Sequence, residues 1–309
     1  MTDQIATTPL RVARPRRRFW LPLYSWLLIG YLVLPIGAMV LFSFNRVLTG
    51  LPQVSFQWNG FTTQWYQQWS QVPGLTAAFW LSLRLALVAA LISTVLGTML
   101  ALSLVRYSPR EFRGKSFVNQ TLFMNIAAPE IVMGASLLGL FATLNVARGF
   151  TTLLLTHVAF SIAYVAVTVR ARLSGFDRTL EEAAGDLGSS PFTTFRLVTL
   201  PLIMPGVLAG GLMAFALSLD DFVASNFVSG STLPFPVWVY GATRVGIPPQ
   251  VFVFGTIIFL LGAAAAIGSL VMSRRGMKRA NWDFGFHRGV IVASNDQSGL
   301  PAKRSVRIR

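Results

Sequence analysis

Residues 85–105 read LALVAALISTVLGTMLALSLV, a run with no charged side chain that lies between Arg84 and Arg106. An α-helix needs about 20 apolar residues to cross a bilayer, so this run predicts a transmembrane helix. The apolar residues follow one another without the alternation that is typical of a membrane-spanning β-strand, which argues against a strand here.

Five more stretches share this character and extend the prediction to a polytopic membrane protein. They cover residues 19–45, 116–147, 149–169, 197–219 and 245–273. Glu130 is the single charged residue in these five stretches. The whole chain of 309 residues is 53% hydrophobic and 12% charged, whereas soluble domains carry about 25% charged residues. We therefore predict an all-α fold with six transmembrane helices, the first of which is too long for the roughly 7–15-residue core of a signal peptide.

The basic residues predict the orientation of these helices. All but four of the 26 Lys and Arg side chains fall on the side that holds both termini; the exceptions are Arg46, Arg84, Arg148 and Arg244. Because Lys and Arg accumulate on the cytoplasmic side of a membrane, both termini are expected in the cytoplasm. Membrane orientation explains the excess of basic residues, so we expect no nucleic-acid partner. The predicted organisation is a basic cytoplasmic segment at 1–18, a transmembrane domain at 19–275 and a disordered cytoplasmic tail at 276–309.

The loop at about 171–196 carries a helical pattern of its own. The spacing of four apolar residues predicts a helix with one apolar face formed by Leu180, Ala183, Ala184 and Leu187. Thr179 and Glu182 have the spacing of a capping box, and Gly188 suits the left-handed position at the end of the helix. Ser190 and Pro191 then predict the start of a second helix.

The charge of the first of these short helices indicates its partner. Glu181, Glu182 and Asp186 lie off the apolar face, whereas helices that lie on membrane surfaces are usually rich in Lys and Arg. An acidic amphipathic helix is better suited to a groove on another protein.

The spacing of Glu182-Ala183-Ala184, Gly188 and Leu200-Pro201 resembles the EAA loop of ABC importer permeases. In that family the EAA loop, here residues 171–196, contains the coupling helix that docks on the ATPase. The resemblance therefore implies a type I ABC importer permease fold, an ATPase-coupling role for these six residues and a location in a prokaryotic inner or plasma membrane. It also implies a set of partners: two ATPase subunits, a second permease subunit of different sequence and an extracytoplasmic substrate-binding protein.

Five further stretches narrow the resemblance to the spermidine/putrescine permeases. They are APEIVMG at 128–134, THVAF at 156–160, LDDF at 219–222, FVSG at 227–230 and RVGIPP at 244–249. The similarity runs from about Trp20 to Arg275, and the chain departs from it at 230–234, where the external loop is shortened. The resemblance implies a polyamine as the cargo, with another small solute as the alternative.

Three acids lie in or near the predicted spans: Glu130, Asp220 and Asp221. Ionisable groups inside a membrane usually face a protein interior or a water-filled path, and no Lys or Arg lies in the same spans to pair with them. We expect the three acids to line the substrate pathway, where carboxylates would replace the water lost by ammonium groups. The alternatives are that the Asp pair bonds a neighbouring subunit and that Glu130 bonds carbonyls freed at a Pro129 kink.

Other features predict structure alone. His157 is expected to be a hydrogen-bonded structural residue near an interface. Gly206 and Gly210 have the spacing that permits close helix packing. The Trp and Tyr residues of the first external loop predict a short interfacial helix near 62–70.

The chain has no nucleotide-binding motif of its own. Gly114-Lys115-Ser116 resembles the end of a P-loop, but Pro109 stands where that motif needs glycine. We expect no catalytic residue, metal site or cofactor in this chain, and we expect ATP–Mg to bind the partner ATPase. The rival classes are an ion-coupled secondary transporter, which typically shows internal repeats, and a membrane scaffold without transport.

Cysteine labelling tests the predicted orientation. Cysteines placed at Ser70 and Ser231 should react with an impermeant thiol reagent added outside the cell, and one at Ser189 should not, because the first two positions fall in predicted external loops. The native chain contains no cysteine that would give background labelling. Labelling at position 189 from outside would reverse the orientation.

Overall fold

The computed structural model describes residues 20–47, 57–108, 110–175, 177–264 and 267–268, so the predicted terminal segments at 1–18 and 276–309 lie outside the described residues. In chain order the helices are α1 (Trp20–Phe42), α2 (Gln64–Gln67), α3 (Leu75–Arg106), α4 (Lys115–Ala127), α5 (Glu130–Thr143), α6 (Phe150–Leu173), α7 (Thr179–Asp186), α8 (Pro191–Thr194), α9 (Leu200–Asp220), α10 (Val223–Val228), α11 (Phe235–Ala242) and α12 (Gln250–Ala264). A short π-helical stretch, Phe195–Thr199, joins α8 to α9.

The described part of the chain contains four helical runs that are long and apolar enough to cross a membrane. Three are α1, α3 and α6, and the fourth is Pro191–Asp220, which includes α9. The bent pair of α4 and α5 would make a fifth span, and α12 is a shorter apolar helix within the last predicted stretch. The all-α membrane fold is therefore confirmed, whereas the count of six spans and the cytoplasmic termini stay predictions.

The prediction of one continuous helix over 116–147 is wrong, because the chain bends by 112° between α4 and α5. Between them Ala128 and Pro129 are extended, with ψ angles of 135° and 127°. Proline has no N–H to donate and pushes the residue before it out of the helical region. Glu130 consequently begins α5 instead of lying in the middle of a helix.

Small residues bring α3, α6 and α9 together as the core. The buried members of the main apolar cluster are Ala90, Ala101, Val165, Val169, Leu173, Ile203 and Ala214. The close packing predicted at Gly206 is confirmed, since a Cβ there would lie 2.8 Å from Arg172 Cβ. Van der Waals packing of this kind holds helices together in lipid, where the hydrophobic effect does not.

Helix α1 stands apart from this core. None of its membrane-spanning window is buried, and it meets α12 through its last turns, where the rings of Phe42 and Phe252 lie 6.4 Å apart. An apolar surface of this extent is stable against hydrocarbon or another chain, and not in water.

Replacing Gly97 by Leu should destabilise the contact between α3 and α6 by about 1–3 kcal/mol through overpacking. A Cβ on Gly97 would lie 2.7 Å from Val165 Cβ and 3.0 Å from the Ile162 carbonyl oxygen. Gly139→Leu is the matched control, because a Cβ there meets nothing within 4 Å. Thermal stability is measured on protein purified in detergent, and an equal loss in the two variants would contradict the packing.

Candidate functional site

One cavity of about 280 Å³, the acid cavity, collects all three acids that the sequence singles out. Glu130 reaches it from the start of α5, and Asp220 and Asp221 reach it from the end of α9. Much of the remaining wall is apolar or aromatic, with Met133, Phe160, Tyr164, Leu217, Phe222 and Val223 among its residues. The bend between α4 and α5 therefore brings a carboxylate to the point where α9 stops.

Glu130 occupies the first position of α5, directly after the N-cap residue Pro129. A carboxylate at this end of a helix faces the positive end of the helix dipole, which stabilises it by about 0.3–1 kcal/mol at an exposed site. The alternative contact with carbonyls freed at Pro129 does not occur within the described residues, where the Glu130 side chain has no hydrogen-bond partner.

Asp221 holds the chain in place where α9 ends. Its carboxylate accepts hydrogen bonds from the backbone N–H groups of Ala224 at 3.3 Å and Ser225 at 2.8 Å, in the first turn of α10. These are amide groups that a helix leaves without partners of its own. Asp221 thus stabilises the fold besides lining the acid cavity.

His157 lies beside the Asp pair, a neighbour that sequence reasoning did not assign to it. Its Nε2 lies 3.6 Å from Asp221 Oδ2. The imidazole is buried, with Nδ1 2.6 Å from Ser218 Oγ on α9 and Nε2 2.9 Å from Ser225 Oγ on α10. The predicted hydrogen-bonded structural role of His157 is confirmed, and the buried histidine joins the three helices α6, α9 and α10.

Asp220 differs from its neighbour in having no such partner. Among the described residues, its carboxylate makes no ion pair and no hydrogen bond with another residue, and no Lys or Arg lines the acid cavity. Asp220 and Glu130 are therefore the two acids of the acid cavity whose carboxylates are available to a ligand.

A larger cavity of about 1140 Å³ also borders α10, at Asn226. We call it the external cavity, because its walls include the loops predicted to lie outside the cell. Thr152 Oγ1 donates to the Val228 carbonyl at 2.8 Å, and Gly134 of α5 makes room for Phe227, whose ring a Cβ at Gly134 would approach to 2.6 Å. Helix α10, which lines the external cavity with Asn226 and the acid cavity with Val223, is therefore held in place by α5 and α6.

The external cavity depends on a buried asparagine that sequence reasoning missed. Asn45 Nδ2 donates to the Gln57 carbonyl at 2.7 Å, and Asn45 Oδ1 accepts from the Asn59 N–H at 2.8 Å. The Asn45 carbonyl accepts from Trp65 Nε1 at 2.8 Å and so fixes that indole in the cavity wall. The sequence signal that could have identified Asn45 is its position as a polar residue at the end of an apolar run.

The short helix predicted near 62–70 is observed as α2, which covers Gln64–Gln67 alone.

The EAA loop contains the turn predicted at Gly188. This glycine has a φ of 81°, and the Ser189 N–H donates to the Ala184 carbonyl at 3.0 Å, which is the pattern of a Schellman C-cap. The predicted start of α8 is also confirmed, because Ser190 Oγ accepts from the Thr193 N–H at 3.3 Å ahead of Pro191.

The capping box predicted at the start of α7 is wrong. Thr179 is already the first helical residue, and Asp177 Oδ1 accepts its N–H at 3.0 Å. A short carboxylate two residues ahead reaches this amide in an Asx turn. The hydrogen bond from Thr179 lowers the pKa of the Asp177 carboxyl below its ordinary value.

Glu181 and Glu182 face different surroundings, which sequence reasoning did not anticipate. Glu181 forms an ion pair with Arg106 at the end of α3 and accepts a hydrogen bond from Thr199 Oγ1 before α9. The Glu182 side chain is exposed and has no partner within the described residues. Glu181 thus connects the EAA loop to the end of α3 and to the residue before α9, whereas the side chain of Glu182 is exposed on the surface.

The EAA loop also exposes apolar side chains. Leu180, Leu187 and Phe192 are 48%, 89% and 73% exposed, which leaves an apolar surface on this side of the chain. Of the six coupling candidates, Glu182, Ala183, Ala184 and Gly188 lie on α7 and its turn, whereas Leu200 and Pro201 begin α9.

Curated proteins of similar sequence are permeases. The chain is 40% identical over 246 residues to the spermidine/putrescine transport system permease protein PotC of Escherichia coli (strain K12), covering 79% of this chain and 90% of that protein. It is 38% identical to PotC of Haemophilus influenzae, covering 82% of this chain and 95% of that protein. It is also 38% identical to the putrescine transport system permease protein PotI of Escherichia coli (strain K12), covering 78% and 86%.

Solved structures of ABC transporters share the fold. A bacterial ABC transporter involved in the import of the acidic polysaccharide alginate gives a TM-score of 0.61 at 13% identity, over 83% of this chain and 93% of that chain. The MetNI methionine ABC transporter gives 0.53 at 15% identity, over 65% and 95%. A sequence profile for the binding-protein-dependent transport system inner membrane component matches residues 94–279. With this match and the relatives above, the chain belongs to the family of binding-protein-dependent transport system inner membrane components, which are multi-pass proteins of the plasma membrane.

Proposed function

We propose that this chain is one permease subunit of an ATP-driven importer and forms half of the pathway for a polyamine, a putrescine- or spermidine-like cation delivered by an external binding protein. The observation that carries the proposal is the acid cavity, where Asp220 and Glu130 have no partner within the described residues. The spermidine and putrescine named for PotC and PotI support the same class of cargo.

The chemistry of a polyamine matches this cavity. An ammonium group that leaves water must regain charge-assisted hydrogen bonds, and a carboxylate supplies the strongest of them. Asp220 and Glu130 offer two such groups, and the rings of Phe160 and Tyr164 line the same cavity and suit the methylene groups between the charges.

The EAA loop supports coupling to a separate ATPase. Its exposed Leu180, Leu187 and Phe192 suit a groove on a protein partner. The proposed assembly contains two ATPase subunits that bind ATP–Mg, a second permease subunit and the external binding protein, while this chain contributes no catalytic residue. An ion-coupled secondary transporter would not need an exposed apolar surface for an ATPase. A neutral solute would not need two carboxylates that lack a partner within the described residues.

Asp220→Ala should lower spermidine uptake about tenfold or more, because a charge-assisted hydrogen bond contributes about 1.5–3 kcal/mol. The chain should still fold and insert into the membrane, since Asp220 bonds no other described residue. Asp221→Ala is the matched neighbour: it leaves two amide groups of α10 without an acceptor, so it should lower thermal stability by about 1–3 kcal/mol. Uptake is measured in proteoliposomes at equal protein, and unimpaired uptake by Asp220→Ala would contradict the pathway role.

Gly188→Val should abolish uptake while the protein still inserts into the membrane, because a β-branched residue is strained at positive φ. A Cβ at this position meets nothing within 4 Å, so the effect is one of backbone conformation and not of crowding. Gly188→Asn is the control and should retain most uptake, since asparagine tolerates the left-handed region. Stimulation of ATP hydrolysis by the loaded binding protein is measured beside uptake, and normal values for the valine variant would refute the coupling role of the turn.

A further inference from the structure

The two cavities meet at a pair of aromatic rings. Phe222 lines the acid cavity and Tyr240 lines the external cavity. The ring centroids lie 4.6 Å apart with an interplanar angle of 43°. These two rings therefore lie where the lining of the external cavity touches that of the acid cavity.

The cationic side chain of Arg244 lies against the Tyr240 ring. Arg244 Cζ lies 5.3 Å from the centroid of Tyr240, and Arg244 Nη2 donates to Tyr240 Oη at 3.4 Å. The negative potential on the face of an aromatic ring attracts cations within about 6 Å. The guanidinium thus marks the Tyr240 ring as a place where positive charge is stabilised.

The rest of the external cavity gives a cation little else to bind. No Asp or Glu is found among the described residues that line it. The wall offers indole rings and amide groups, with Trp65, Trp238, Gln68, Gln71 and Asn226 among them. A polyamine in this cavity must therefore exchange part of its hydration for ring faces and amide oxygens before it reaches a carboxylate.

We propose that Tyr240 and Phe222 form a cation–π site that hands an alkylammonium group from the external cavity to Asp220. Arg244 is the resident cation on the Tyr240 ring, and the ammonium group of the substrate replaces it during passage. The site rests on the proposed polyamine cargo, since a neutral solute would gain nothing from the ring faces.

Fluorination of the ring tests this site, because fluorine withdraws electron density from the ring face and changes its volume little. Phenylalanine and its mono-, di- and trifluorinated analogues are introduced at position 240 in the assembled importer. Initial spermidine uptake is then measured in proteoliposomes with saturating binding protein. We expect Tyr240→Phe to keep uptake within about twofold, and each added fluorine to lower it, to about tenfold for the trifluoro ring, equivalent to about 1.4 kcal/mol.

The same fluorinated series at Phe235 is the matched control. Phe235 lies on the same helix but packs against Phe79 and Phe254 and lines neither cavity, so uptake should not change along that series. A flat series at position 240, or an equal decline at 235, would overturn the cation–π site.

Arg244→Gln tests the resident cation. Removal of a competing charge should leave uptake unchanged or raise it a few-fold. A loss of uptake as large as the one measured for Tyr240→Leu, which removes the ring, would overturn the resident-cation role and leave Arg244 with a structural role alone.

Asp220→Ala separates the aromatic site from the proposed polyamine pathway. Impaired uptake in that variant together with a flat fluorine series refutes the aromatic site alone, and unimpaired uptake refutes the polyamine pathway itself.

Discussion

A helix leaves its first amide groups without partners of its own, so a helix that starts in the interior of a protein needs acceptors from other parts of the chain, and this constraint organises the centre of the molecule. Helix α9 ends at Asp220 and α10 begins at Val223, so the first amide groups of α10 need acceptors. Asp221 provides them, and His157 binds the hydroxyls on either side of the break and lies beside the same carboxylate. The acid cavity exists because the chain turns aside here without leaving these amides unsatisfied.

The second break, at Pro129, complements the first. Helix α5 starts there with a carboxylate and packs against α10, which Gly134 permits by having no side chain in the way of Phe227. Four of the stretches that resemble polyamine permeases, 128–134, 156–160, 219–222 and 227–230, are far apart in the sequence but supply these two breaks and the histidine between them. Their residue types are explained by one shared task, which is to hold two broken helices around a polar space.

Helix α9 connects this space with the EAA loop. It runs over 21 residues from Leu200 to Asp220, about 30 Å at 1.5 Å per residue. At its start Thr199 bonds Glu181, which is paired in turn with Arg106 of α3. In the proposed importer, a displacement of the EAA loop by an ATPase reaches the acid cavity along this helix, because close packing against α3 and α6 transmits strain instead of absorbing it.

The sequence by itself determined the features that depend on neighbours along the chain. The apolar runs predicted the membrane helices, and local turn chemistry predicted the left-handed Gly188 and the start of α8 at Pro191, because each involves residues within one or two helical turns. The three acids were recognisable as well, since a charge beside an apolar run stands out. Only the tertiary structure decided which carboxylates are free. Within the described residues, Asp221 caps α10 and lies beside His157 while Asp220 has no partner, and Glu181 is paired with Arg106 while Glu182 has no partner. These outcomes depend on which distant helices lie side by side, and the pattern of one segment carries no information about the distance to another.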